Sequence, residues 1–379
     1  MRLIVCLAAL GACAFGTEPL PKGQVIERVV CAGEEQQSYA LYLPPQYEPE
    51  RTWPILYCLD PGAHGRIPVE RFAEAAGRAG WIVVGSNNSR NGPIEIAREA
   101  IRWMLDDTHQ RFSIDDSRIY TAGFSGGARI ALAWAAGSRV SGVIACGAGF
   151  SGGTIPKEVP FRIYATAGVD DFNFDEVYGM SRELHRRGVL QRFSEFAGGH
   201  DWLPESLTAS ALEFLSGGLP PEPPPPVLPV QKKTAERYTR LTEELLRDDE
   251  SGQRSLVQRL RRDSELAEDG VNRRAARRVL VGSFVSSVEQ GNESLAANKY
   301  SEAAHMWQLA VLLRPEYAEG WYSLAVSDAG AHDKRRALDA LEEAIAHGFR
   351  DRDRIAGDPL WESLRKEPRY AKAMAGMEK

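Results

Sequence analysis

Cysteine is scarce in this sequence, five in 379 residues. No pair has C-x-x-C spacing and no Cys/His group has zinc-ligand spacing, which excludes a structural zinc module; no metal and no cofactor are expected. Cys6 and Cys13 fall in the N-terminal segment treated below. The remaining Cys31, Cys58 and Cys146 are an odd set that allows at most one disulfide. Cys58 and Cys146 lie in apolar strand-like runs, where a buried free thiol is the usual state. Positive charge is not in surplus: 46 Lys and Arg stand against 52 Asp and Glu, a net charge of −6, so nothing points to nucleic acid as a partner. No apolar run approaches the roughly 20 residues that cross a bilayer, so no membrane span is expected. With 43% hydrophobic and 26% charged residues, the composition excludes a disordered chain.

The first residues differ from the rest. Arg2 precedes an apolar stretch at residues 3–10, and Ala12-Cys13-Ala14 supplies a small-residue cleavage site. This layout predicts a signal peptide over residues 1–16 and an exported protein, periplasmic or secreted. Leu10-Gly11-Ala12-Cys13 also reads as a lipobox, which would leave Cys13 as a lipid anchor.

Residues 217–230 form a proline-dense linker, within the string SGGLPPEPPPPVLPV, that suits an extended, semi-rigid spacer holding two regions apart. Before it, in residues 17–216, β-type runs at 39–43, 55–59, 81–86, 118–123, 140–146, 161–167 and 190–196 alternate with helical stretches at 94–110, 126–136 and 174–187. Runs such as IVVG and VIAC are apolar on both faces, the mark of interior parallel strands. The fold class expected is α/β, with a mostly parallel sheet covered by helices. After the linker, residues 231–379 read as an all-α domain. There Ala303, Trp307 and Ala310 recur 34 positions later as Ala337, Leu341 and Ala344, and Pro315 ends the first unit. Over about residues 284–349 this resembles the tetratricopeptide repeat, which implies stacked helix pairs and a groove for a peptide or protein partner.

The stretch Gly123-Phe124-Ser125-Gly126-Gly127 lies between a β-type run and an Ala-rich helical run. G-x-S-x-G in a strand–turn–helix context lifts a serine above the sheet, and it places the Gly126 N–H and the helix N-terminus beside a developing oxyanion. A serine hydroxyl needs a base. The chain order Ser, acid, His removes His64 and His109, and His305, His332 and His347 belong to the repeat region, which leaves His185 and His200; His185 sits in an amphipathic helical stretch, while His200 follows a strand through Ala197-Gly198-Gly199. The acid is expected after the run at 161–167, where Asp170 and Asp171 stand; Asp171 fits the Gly-x-x-Asp spacing better, and Asp170 is the alternative. A second oxyanion donor is expected from the turn holding Gly62 and Ala63. Arg90, in a polar loop at another strand's end, is a candidate for binding an acidic substrate group.

On the strings GFSGG (123–127), GVDDFN (168–173) and GGHDW (198–202), residues 24–216 resemble the α/β-hydrolase superfamily, nearest its polyhydroxybutyrate depolymerase, feruloyl esterase and dienelactone hydrolase-like branches. The resemblance implies an eight-stranded, mostly parallel sheet and a two-step acyl transfer to water, with Ser125 as nucleophile, His200 as proton shuttle and Asp171 as its support. Asp60-Pro61-Gly62 departs from the His-Gly pair common in the oxyanion loop of those branches. Little sequence is left for a lid, and Trp202 is a candidate aromatic wall for the substrate. The expected substrate is a carboxylic ester such as an acylated polysaccharide or a polyester. A peptidase or acyltransferase would use the same triad, and a non-catalytic scaffold acting through the repeats is the alternative outside enzymology.

Overall fold

The computed structural model describes residues 20–377, so the expected signal peptide and Cys13 lie outside the described residues. The chain divides at the Tyr120–Thr121 junction into two compact units.

Eight strands form one sheet in the order β1-β2-β4-β3-β5-β6-β7-β8. They are β1 (Val25–Cys31), β2 (Glu34–Tyr42), β3 (Trp53–Leu59), β4 (Ile82–Ser86), β5 (Ile114–Phe124), β6 (Gly142–Cys146), β7 (Arg162–Gly168) and β8 (Gln191–Phe196). Every residue of β3, β4 and β6 is buried, as their two-sided apolar character requires. In the first unit β1 pairs antiparallel with β2, β2 antiparallel with β4, and β3 parallel with β4. This unit also carries α1 (Arg66–Ala79) and α2 (Ile94–Arg111). Neither β1 nor α1 was expected from the sequence. β1 is half-exposed, with register irregularities, and so lacks a clean period-2 alternation.

In the second unit β6, β7 and β8 are parallel neighbours, with Ala145 opposite Ala165 and Ala165 opposite Phe193. Helices α3 (Gly126–Ala136), α4 (Phe174–Arg186) and α5 (Glu205–Leu215) alternate with these strands, and α3 follows β5 across a single residue. Cys31, Cys58 and Cys146 are all buried free thiols. Beyond them the chain is helical: α6 (Pro229–Arg247), α7 (Glu250–Ser264), α8 (Val271–Ala296), α9 (Tyr300–Leu313), α10 (Ala318–Gly330), α11 (Lys334–Ala346), α12 (Arg352–Gly357) and α13 (Pro368–Gly376). The recurring small residues Ala303, Ala310, Ala337 and Ala344 are each 0% exposed, so the helices approach closely where the repeat places alanine.

The spacer expected to hold the helical region at a distance does not do so. Arg192 and the Gln191 amide donate to the Pro220 and Glu222 carbonyls at 3.3 and 2.7 Å, the Glu222 N–H donates back to the Gln191 carbonyl at 3.3 Å, and Tyr178 Oη donates to the Pro225 carbonyl. β8 is the last strand of the sheet, and the proline-rich chain lies beside its start: the linker carbonyls accept from the Gln191 and Arg192 side chains, and the Gln191 carbonyl takes the Glu222 N–H. Arg278, on α8, is 0% exposed and bonds to residues beside β7, so the α/β and helical regions share buried structure in this unit.

Candidate active site

β5 ends at Phe124 and α3 begins at Gly126, so Ser125 alone makes the turn. Its backbone is forced to φ 53° and ψ −122°, a conformation an L-residue adopts only under constraint. The Ser125 N–H is tied to the Cys146 carbonyl at 2.9 Å. Space is so tight that a Cβ at Gly123 would fall 2.2 Å from the Gly127 carbonyl oxygen, which is why glycine stands there. The Ser125 side chain makes no capping bond to its own helix. Gly126 is the first residue of α3, where backbone N–H groups have no intrahelical acceptor.

Ser125 Oγ lies 2.8 Å from His200 Nε2, and His200 Nδ1 lies 2.9 Å from Asp171 Oδ1. With the proton on Nδ1, the imidazole donates to Asp171 and accepts from Ser125. The Asp171 side chain is fully buried and that of His200 nearly so. The Asn173 N–H also donates to Asp171 Oδ1, at 2.8 Å, while Asp171 Oδ2 is buried with no hydrogen-bond partner. The imidazole lies between the rings of Phe172 and Phe124, whose centroids are 4.3 and 4.6 Å from its own. Asp170 takes a different partner: its Oδ2 accepts from Arg277 of α8 at 2.8 Å.

Trp202 is 2% exposed and packs near Phe124, with ring centroids 6.1 Å apart, so it is buried beside the elbow and presents no wall to a ligand. The reason is its neighbour: Leu203 is also buried, and the segment turns inward after His200. Gly62 and Ala63 belong to the first unit, where their N–H groups donate to Asp60 Oδ1 at 2.9 Å and the Asp60 carbonyl at 3.2 Å. Arg90 is exposed in that unit and forms an isolated β-bridge with Gly62. His185 is exposed on α4. Among the described residues no group of three or more His, Cys, Asp or Glu side chains is arranged to hold a metal, and no helix is long and apolar enough to cross a membrane.

Several site residues were not anticipated. Gly147, after β6, has φ 66°, and a Cβ there would meet Asp171 Oδ2 at 3.0 Å and His200 Nδ1 at 3.1 Å. The Asn173 side-chain amide donates to the Gly147 carbonyl at 2.8 Å, joining the two loops. One turn past Ser125, Arg129 forms a two-pronged ion pair with Glu176 at 2.7 and 3.0 Å, and Glu176 also accepts from the Gly149 N–H at 2.8 Å. A glycine directly after an apolar strand was a usable signal for Gly147. Nothing in the local sequence marks Arg277 or Arg278.

No protein-family model matches the chain, and no curated protein matches it. Solved structures give partial likenesses. An esterase from Pyrobaculum calidifontis aligns at 16% identity over 52% of this chain and 86% of its own, with a TM-score of 0.41. A ferulic acid esterase aligns at 17% identity over 52% and 99%, also at 0.41. The S-formylglutathione hydrolase FrmB from Staphylococcus aureus aligns at 14% identity over 52% and 96%, with a TM-score of 0.40.

Proposed function

We propose that this chain is a serine hydrolase that cleaves carboxylic esters through an acyl-enzyme on Ser125. The observation that carries this is the continuous hydrogen-bonded line from Ser125 Oγ through His200 to buried Asp171. As an ester binds, His200 Nε2 takes the Ser125 proton while Oγ attacks the carbonyl carbon, and Asp171 stabilises the imidazolium that forms. The Gly126 N–H is proposed to donate to the tetrahedral oxyanion, with the dipole of α3 behind it. On chain order alone the second donor is assigned to Gly62 or Ala63, which must release its bond to Asp60 to serve. Collapse expels the alcohol, which takes its proton from Nε2. Water, deprotonated by the same nitrogen, then attacks the acyl-enzyme and restores the serine.

An acylated polysaccharide or polyester as substrate, and export of the protein, belong to this proposal; export rests on the apolar run at residues 3–10 and the small residues after it. A peptide or protein partner at the helical repeats is proposed from the alanine-spaced repeat alone. The test is labelling by a fluorophosphonate together with hydrolysis of p-nitrophenyl acetate. Wild type should do both and Ser125→Ala neither; a wild-type protein inert to both sinks the proposal.

A further inference from the structure

The loop that carries Asp171 is held from outside the α/β region. Each neighbour of Asp171 in the chain is gripped by α8. Arg277 Nη1 donates to Asp170 Oδ2 at 2.8 Å. Arg278 Nη2 donates to the Val169 carbonyl at 2.8 Å and its Nη1 to Asp175 Oδ2 at 2.9 Å. The same guanidinium lies over the Phe174 ring, 5.0 Å from its centroid. One turn further, α8 presses Gly282 so closely against Phe172 that a Cβ there would be 2.9 Å from the Phe172 Cβ. Phe172 in turn packs against His200, its ring tilted 42° to the imidazole.

Arg278 is fully buried, which is expensive for a permanent cation unless its position matters. Burial pushes its guanidinium below the ordinary value, while Asp175, Asp171 and Asp170 pull the other way. Asp171 itself receives no bond from α8; its Oδ1 accepts from Asn173 and His200. A clamp that grips residues 169, 170, 172 and 175 but spares 171 fixes where the carboxylate points without neutralising it.

We propose that Arg278 is a positioning residue for the Asp171–His200–Ser125 line, through which the helical region completes the catalytic centre. This rests on the serine-hydrolase proposal above. It also means that whatever strains α8, including a partner seated on the helical region, acts on catalysis through the Val169–Asp175 loop.

The test uses the full chain. Arg278→Met keeps the length of the side chain and removes both hydrogen bonds and the charge. We expect kcat for p-nitrophenyl acetate to fall by about 10–100-fold with KM within about threefold, because the small ester binds at Ser125 and only the alignment of the base is lost. Fluorophosphonate labelling should slow by the same factor, and millimolar guanidinium should restore part of the rate. Arg278→Lys, which keeps the charge but reaches one acceptor, should fall between. If Arg278→Met does not fold, Asp175→Asn on the partly exposed partner still loosens the clamp and should lower kcat about 3–10-fold. Folded Arg278→Met with kcat within twofold of wild type, or no change in both Arg278→Lys and Asp175→Asn, overturns the proposal. Failure of the serine-hydrolase proposal looks different: wild type itself would neither label nor turn over.

Discussion

Gly147→Ala is the perturbation that most directly tests whether the Asp171–His200 contact sets the rate. The wild-type backbone at Gly147 has φ 66°, which costs an alanine about 1–2 kcal/mol. The added methyl would also lie 3.0 Å from Asp171 Oδ2 and 3.1 Å from His200 Cε1 and Nδ1, so the imidazole and carboxylate must each yield by a few tenths of an ångström. Misplacement by about 1 Å is enough for a 10²-fold loss, so a shift of a few tenths should lower kcat by about tenfold, or about 1.4 kcal/mol of transition-state stabilisation. KM for a small ester should scarcely change, since the methyl lies behind the imidazole, on the side of its bond to Asp171. Steady-state kinetics with p-nitrophenyl acetate, the fluorophosphonate labelling rate and a thermal melt separate the two components. The melt should fall by about 2–8 °C if the backbone strain is as stated. A variant whose melt falls but whose kcat stays within twofold of wild type would refute the idea that the imidazole is held at a rate-determining position.

Ser125→Ala should cut ester turnover by about 10⁴–10⁶-fold with an unchanged melt, measured by burst-free steady-state assay. Asp171→Asn should cost far more activity than Asp170→Asn, because the first abuts His200 Nδ1 and the second pairs with Arg277; equal losses would place the acid elsewhere. Asp328, on α10, is 3% exposed, and burial pushes its carboxyl up to about 6, so the fold favours its neutral form and loses stability as pH rises from about 4 through 6. Asp328→Asn should therefore raise stability by about 1–3 kcal/mol at pH 8 and change it little at pH 4, against the weak attraction of Arg336 Nε at 3.6 Å; melts at the two pH values that shift equally would count against it.

Much of the architecture was legible because it is written in local pattern. The runs WPILYCL, IVVGS and GVIAC have apolar residues on both faces and became fully buried strands. Gly123 to Gly127 marks an elbow by steric need alone, and the turn at Ser125 follows. β1 and α1 escaped notice for a physical reason: VIERVVC is exposed at its middle, and the Pro68-containing start of α1 follows a glycine that makes no side-chain cap. At the site, a place just after a strand separated His200 from His185, which lies in a helical stretch, but no local signal distinguishes a buried Trp202 from an exposed one. The grip of Arg277 and Arg278 on residues some hundred positions earlier is a tertiary event, invisible to any window of sequence. Proline density implied a spacer over 217–230; residues 220–228 form neither helix nor strand while Pro229 already opens α6, and the composition said nothing of what that chain lies against.

The proline-rich segment beside β8 has a consequence for how molecules of this protein meet each other. A terminal strand of a sheet is a template on which another chain can add, and proteins blunt such edges or hide them. Here Glu222 exchanges hydrogen bonds with Gln191 and pairs with Arg192, and the residues around it are Pro220, Pro221 and the run from Pro223 to Pro226. Prolines have no N–H, so the segment accepts bonds from β8 but offers no continuous ladder to a newcomer. At the start of β8 the margin is therefore occupied by a chain poor in N–H groups, a weak template for a foreign strand.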